Sequence, residues 1–248
     1  MTLAHPAAVL PFARTRLPLP ALVAGSMLPD IPVFLGMPHL YEVSHSIRGV
    51  LGIDMVATCL AVVLWIGVWR EAVLDMAPGA VRRRFAPPRR PALDWWLLVP
   101  VAAWVGAGTH VLWDAFTHGG RWGPRHLAWL DDRWHGYLAY RWLQYGSSVV
   151  GLAIVVGALV TAVARRSPRG DTRARRLPPA TLPAIAVIGL TAGLAGAIRS
   201  AHRGLHDMAF NGVVDSIMTT TALVALACLL WQASRLLSPA RTRPGRTR

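Results

Sequence analysis

Five long apolar stretches limit what this chain can fold into. A helix needs roughly 20 apolar residues to cross a hydrocarbon core about 30 Å thick. Only 15% of the residues are charged, well below the share of about 25% in soluble domains. We therefore predict an all-α, polytopic membrane helix bundle with about five transmembrane helices. The five stretches lie at about 52–69, 93–113, 143–164, 180–198 and 210–233.

A sixth apolar stretch, residues 17–37, contains four prolines and Asp30. Proline removes a backbone donor, and a charge is costly in the middle of a bilayer. We predict a re-entrant or interfacial helical segment here. Residues 1–234 are expected to form a single membrane-embedded helical domain, followed by a disordered basic tail at 235–248.

The basic residues indicate orientation. All 26 are arginine, and they give a net charge of +14. Seventeen of them fall in loop 70–92, loop 165–179 and the C-terminal tail. Arginine-rich loops face the cytoplasm, so we predict a cytoplasmic C-terminus. These segments lack interleaved aromatic residues, which predicts membrane lipids as partners and no nucleic acid. The oligomeric state stays open.

Histidine and aspartate concentrate on the opposite side. All nine histidines fall on the predicted non-cytoplasmic face. The densest pattern is H-x3-D-x3-H, formed by His110, Asp114 and His118. These positions share one helix face, so their side chains can converge on a divalent metal such as zinc. The alternative is a helix-stabilising or proton-relay pair in a polar seam.

Other candidates are more isolated. Asp30 lies between two prolines, where it can also serve as a helix cap or turn residue. His45 lies in a Ser-His-Ser sequence, and His5 is close to the N-terminus. His202 and His206 are spaced four residues apart, in a segment that can also be a solvated loop. The sequence has no P-loop, GxSxG, CxxC or HExxH pattern.

Four segments together resemble a known family. The chain is similar to the bacterial membrane-protein family known as domain of unknown function 4184. More distantly, the order His, Pro-Asp, His, H-x3-D and H-x3-H is similar to zinc-dependent phospholipase C and the S1/P1 nucleases. It is also similar to inner-membrane proteins described as metal-dependent hydrolases. The segments are AHPAAVLP at 4–11, LPLPALVAGSMLPD at 17–30, SHSIRG at 44–49 and GTHVLWDAFTH at 108–118.

The resemblance implies a helical site for one to three zinc or other divalent ions, in the bacterial inner membrane. The chain departs from the soluble enzymes because it lacks their N-terminal tryptophan and has His206 or Asp207 where they have glutamate. The implied ligands are His5, Asp30, His45, His110, Asp114, His118, His202 and His206.

Two functions follow from these residues. The first is a membrane-embedded, metal-dependent hydrolase of a phosphoester such as a lipid, with Asp54 or Asp207 as general base. The alternative is a non-enzymatic membrane protein, either a metal or proton transporter or a structural partner. A transporter needs polar groups along its whole path. The cytoplasmic halves of the predicted spans offer only weakly polar groups, which favours a one-sided site.

Overall fold

The protein is almost entirely helical, as predicted. The computed structural model describes residues 2–85, 91–168 and 175–237. Within these ranges the only sheet is a hairpin of β1 (Arg133–Trp134) and β2 (Tyr137–Leu138). Short 3-10 helices cover Thr2–Ala4, Leu10–Arg14, Leu28–Asp30 and Ala201–Arg203, and Trp65–Trp69 is π-helical.

The α-helices are numbered in chain order. They are α1 (Pro6–Val9), α2 (Leu19–Gly25), α3 (Ile31–Phe34), α4 (Pro38–Ser44), α5 (Ile47–Leu51), α6 (Ile53–Leu64), α7 (Arg70–Met76), α8 (Gly79–Arg82), α9 (Leu93–Leu97), α10 (Val99–Thr117), α11 (Trp122–His126), α12 (Ala128–Asp131), α13 (Ala139–Ala164), α14 (Thr181–Ser200) and α15 (Leu205–Leu237).

Five helical segments are long and apolar enough to cross a membrane, which confirms that prediction. Each overlaps one of the predicted stretches. All five are longer than predicted, because further residues at their ends continue the helix. Many of their large apolar side chains are exposed, as expected for surfaces that face lipid. The chain is therefore described as a multi-pass membrane protein. The segments are Ile47–Met76, Leu93–Thr117, Ala139–Ala164, Thr181–Arg203 and Leu205–Leu237.

The apolar stretch 17–37 forms three short helical pieces. Proline occupies one of the first two positions of α2, of α3 and of the 3-10 turn between them. There its missing N–H costs no hydrogen bond. Gly36, with φ of 66°, separates α3 from α4. The longest apolar run here, Leu19–Phe34, is shorter than the five spanning segments, in keeping with a re-entrant or interfacial segment.

The described residues divide between two compact units. The first lies within Met1–Leu64 and Arg89–Arg166, and the second within Trp65–Pro88 and Ser167–Arg248. The single domain over 1–234 stays a prediction. Of the predicted tail, residues 235–237 belong to α15, and residues 238–248 lie outside the described residues.

In the first unit, α2 packs directly against the backbone of α10. A Cβ on Gly106 would overlap the carbonyl oxygen of Leu22. A Cβ on Gly25 would lie 2.7 Å from the carbonyl oxygen of Ala103. Small residues let helix backbones approach closely in membranes. This approach holds the segment after α2 beside the polar end of α10.

In the second unit, α14 packs against α15 in the same way. A Cβ on Gly193 would lie 2.7 Å from the carbonyl oxygen of Gly212. A separate core contains Met76, Cys228 and Trp231. Asp75 is buried beside this core and pairs with Arg82 at 2.9 Å.

Candidate metal centre

The site is built on α10. His110 and Asp114 are one helical turn apart, so both project from the same face. Their exposed fractions are 0% and 2%. The helix ends at Thr117, and His118 follows in extended conformation. The Gly119-Gly120 sequence then turns the chain, with φ of 71° at Gly120.

Asp30 and His45 reach this pair from the N-terminal region. Asp30 ends the 3-10 turn, and His45 directly follows α4. Asp30 stands at the N-cap position of α3 but makes no side-chain capping hydrogen bond. Its Oδ2 instead accepts a hydrogen bond of 2.5 Å from the hydroxyl of Thr2. Asp30, His45, His110 and Asp114 form a buried group whose four ligand atoms lie within 4.8 Å of one another.

Five distances among these four atoms are close to those between the ligands of a tetrahedral ion. His110 Nε2 lies 3.2 Å from His45 Nε2 and 3.4 Å from both Asp30 Oδ1 and Asp114 Oδ2. His45 Nε2 lies 3.4 Å from Asp114 Oδ2 and 3.9 Å from Asp30 Oδ1. Ligands held about 2.0–2.1 Å from a tetrahedral zinc are about 3.3 Å apart. The group could therefore hold a metal ion.

Hydrogen bonds orient both imidazoles for metal binding. His110 Nδ1 lies 2.8 Å from the carbonyl oxygen of Ser26, and His45 Nδ1 lies 3.0 Å from that of Tyr41. A carbonyl only accepts, so each Nδ1 donates, and in the neutral imidazole Nε2 carries the lone pair. The two lone pairs then face each other at 3.2 Å. This arrangement requires a proton or a metal cation between them.

The carboxylate of Asp114 faces four histidine nitrogens. Among the described residues, neither of its buried oxygens accepts a hydrogen bond. Their neighbours are nitrogens of His5, His45, His110 and His118, at 3.4 to 3.5 Å. Buried carboxylates are costly unless they are paired. Since Asp30 adds a second negative charge, a divalent cation would balance the group.

His5 and His118 flank the group. The His5 ring stacks on His110 with centroids 3.8 Å apart, and its Nε2 lies 3.4 Å from Asp114 Oδ1. Burial, reinforced by His110, lowers the pKa of His5 to about 3. Burial also lowers the pKa of His118. Both side chains are therefore neutral at pH 7, which is the form that binds metal.

The remaining predicted residues are not among these four ligands, although Asp54 interacts electrostatically with His45 and His110. Asp54 is buried on α6, and its Oδ2 has no hydrogen-bond partner within the described part of the chain. His202, His206 and Asp207 belong to the second unit. Gly204, with φ of 107°, separates the exposed His202 from α15, which carries the other two. Their roles stay predictions.

Sequence reasoning missed the groups that support the ligands. The Tyr41 ring lies 4.0 Å from the ring of His45, and the Arg121 guanidinium lies 5.3 Å from the Tyr41 ring. Gln144 Nε2 lies 2.8 Å from His118 Nε2. Gln144 is a polar residue within the predicted apolar stretch 143–164, and that signal was available. Nothing in the sequence indicates that the carbonyl of Ser26 accepts a hydrogen bond from His110.

Comparison with known proteins gives one family. No curated protein and no solved structure matches the chain. The model of the family described as Domain of unknown function (DUF4184) matches residues 1–233. This match confirms the resemblance of the four segments, whereas the distant similarity to phospholipase C stays a prediction. The chain belongs to the DUF4184 family, a family of unknown function.

Proposed function

We propose that this protein is a membrane-embedded, metal-dependent hydrolase that acts on a phosphoester, with zinc as its metal. Asp30, His45, His110 and Asp114 hold the first ion. The observation that carries the proposal is Asp114, whose two buried oxygens accept no hydrogen bond from any described residue and face four histidines.

Four protein ligands fill a tetrahedral site, whereas a catalytic zinc keeps an open position. The chemistry therefore requires a second ion or the release of one ligand. Asp114 Oδ1 and His5 Nε2 lie 3.4 Å apart on the wall of a cavity. We propose that they hold a second ion at the edge of this cavity. His118, His202 and His206 stay candidate ligands, so the proposed number of bound metal ions stays at one to three.

A bound divalent ion supplies Lewis acidity to the phosphoryl oxygens and lowers the pKa of water to about 7. In the hydrolysis, a water oxygen bonds to phosphorus, and the bond from phosphorus to the alcohol oxygen breaks. A carboxylate accepts one water proton, and the leaving alcohol takes up a proton. Asp54 is the better candidate base, since its buried Oδ2 has no hydrogen-bond partner in the described ranges. Asp207 is the second candidate.

The test is a phosphoesterase assay with the full chain in detergent. Zinc-loaded protein is offered a soluble phosphomonoester, a soluble phosphodiester and lipid phosphoesters. We expect hydrolysis of at least one, with a loss of at least 100-fold in His110→Ala. The matched control is Asp75→Asn, which alters a buried aspartate of the second unit. If metal-loaded protein hydrolyses none of these substrates, the hydrolase proposal is wrong.

A second measurement, of zinc release from vesicles, addresses the transporter alternative. Zinc-loaded vesicles containing the protein would release zinc over time if the cluster were part of a transmembrane path. We expect release no faster than from protein-free vesicles. Zinc release that disappears in His110→Ala, together with absent hydrolysis, would favour the transporter instead.

A further inference from the structure

A cavity of about 290 Å³ lies beside the metal centre within the first unit. Its walls come from residues 4–8, from residues 113–117 of α10 and from residues 144–154 of α13. His5 and Asp114 form one part of the wall. A molecule in this cavity therefore touches the side of the cluster where we place the second ion.

The cavity wall changes from polar to apolar along α13. Gln144, Ser147 and Ser148 lie near the beginning of this helix, whereas Val150 and Ile154 lie further along it. Gln144 and Ile154 are about 15 Å apart at the helical rise of about 1.5 Å per residue. Since α13 has 26 residues, Ile154 lies near its middle. The apolar part of the cavity therefore reaches towards the centre of the bilayer.

The apolar part is open to its surroundings. Val150 is 58% exposed and Ile154 is 49% exposed. Both belong to a segment that is long and apolar enough to cross a membrane. The surroundings at this depth are hydrocarbon, so the cavity has an opening from which a lipid can enter sideways.

The volume limits what the cavity holds. At about 30 Å³ for a group the size of a water molecule, it has room for about ten such groups. A complete two-chain lipid does not fit. A phosphate with its first neighbouring carbons does, provided that the remaining chain stays in the bilayer.

We propose that the cavity takes its occupant directly from the bilayer, and that this occupant is a membrane lipid with a phosphoester headgroup. The phosphate lies at the end formed by His5 and Asp114, and the first carbons of the lipid chain lie along Val150 and Ile154. Among the described residues that line the cavity, none is arginine. The phosphate charge is therefore balanced by the bound metal. This inference rests on the proposed function and specifies its substrate class.

The test is photo-crosslinking of the full chain in phosphatidylcholine vesicles. The probe is phosphatidic acid that carries a diazirine on one acyl chain, close to the headgroup. We expect labelling to concentrate on the peptide that contains residues 150–154. Ala8→Phe fills the cavity and should lower this labelling at least fivefold. The matched control is Ala153→Phe, on α13 but outside the cavity lining, which should not change the labelling.

A second variant, Ser148→Leu, keeps the test valid if Ala8→Phe fails to fold. Zinc content equal to that of the unmodified protein shows that a variant retains the cluster. Labelling spread evenly over all lipid-facing helices would overturn the inference. Labelling that neither cavity variant lowers would also overturn it.

Failure of the cavity proposal differs from failure of the hydrolase proposal. Selective labelling without hydrolysis of any phosphoester would support the lipid site and reject the hydrolase. Hydrolysis of p-nitrophenyl phosphate without selective labelling would support the hydrolase and reject the lipid site. If both hold, Ala8→Phe should lower hydrolysis of phosphatidic acid much more than hydrolysis of p-nitrophenyl phosphate.

Discussion

Each of the two units buries an aspartate beside closely packed helices, but the partners of the carboxylate differ between the units. In the second unit, Asp75 pairs with Arg82 at 2.9 Å. It also accepts hydrogen bonds from the backbone N–H groups of Arg176 and Leu177, at 2.9 and 3.2 Å. In the first unit, Asp114 accepts no hydrogen bond from the described residues and faces imidazole nitrogens.

This difference separates a structural carboxylate from a candidate ligand. Removing a carboxylate from water costs several kcal/mol, which a paired cation and hydrogen bonds can offset. Asp75 has both, so its role is accounted for within the protein. Asp114 is surrounded by imidazole nitrogens, which can bind the same cation that would balance its charge. Burial alone does not distinguish the two residues, whereas the identity of their partners does.

The largest expected effect is on metal content. Asp114→Asn removes the carboxylate charge with little change in size, and we expect zinc content to fall at least tenfold. Asp75→Asn should leave zinc content unchanged, although it weakens the second unit. Elemental analysis of both purified variants measures this. Equal zinc loss in the two variants would contradict the assignment of Asp114 as a metal ligand and of Asp75 as a structural carboxylate.

Metal removal should destabilise the protein through the first unit. A ligand present at 100 times its Kd stabilises the folded state by about 2.7 kcal/mol. We therefore expect a chelator to lower the Tm of the unmodified protein by several degrees. The Tm of Asp114→Asn should not respond to the chelator. A response of the same size in that variant would show that the stabilising ion binds elsewhere.

A change in helix packing should lower zinc affinity when it is made in the first unit and not when it is made in the second. Gly106→Leu forces α2 away from α10, and overpacking of this kind costs about 1–3 kcal/mol. Because α2 leads into Ser26 and Asp30, zinc affinity should fall as well. Gly193→Leu disturbs the packing of α14 against α15 by a similar contact and should leave zinc affinity unchanged. Zinc titration monitored by calorimetry tests both variants.

The smallest effect is expected in the second unit. If His202 and His206 bind a further ion, replacing both with alanine lowers the zinc content by at most one equivalent. The ion held by His110 and Asp114 should remain. Loss of all zinc from this double variant would contradict the assignment of the first ion to the first unit.

The sequence predicted the fold class and the centre of the site for physical reasons. Apolar length directly indicates a membrane span, and the spacing of His110 and Asp114 places both on one helix face. The approach of Asp30 and His45 depends instead on close packing of α2 against α10. Spacing along the chain carries no information on that distance. The predicted topology placed these residues on one side of the membrane, and only the family resemblance assigned them to one site.

The supporting hydrogen bonds could not be predicted. A backbone carbonyl such as that of Ser26 is present at every position, so its role appears only after the chain has folded. The same holds for the Thr2 hydroxyl that binds Asp30. The spans were also predicted too short, because residues such as Tyr140 and Arg141 extend α13 ahead of the predicted stretch 143–164.

X-ray absorption at the zinc edge of the zinc-loaded, full-length protein tests the central claim most directly. The account predicts stoichiometric zinc whose first shell contains two imidazole nitrogens and two carboxylate oxygens at about 2.0–2.2 Å, and this signal should disappear in Asp114→Asn. Protein that binds no zinc, manganese or iron, or zinc surrounded by six water oxygens, would contradict it.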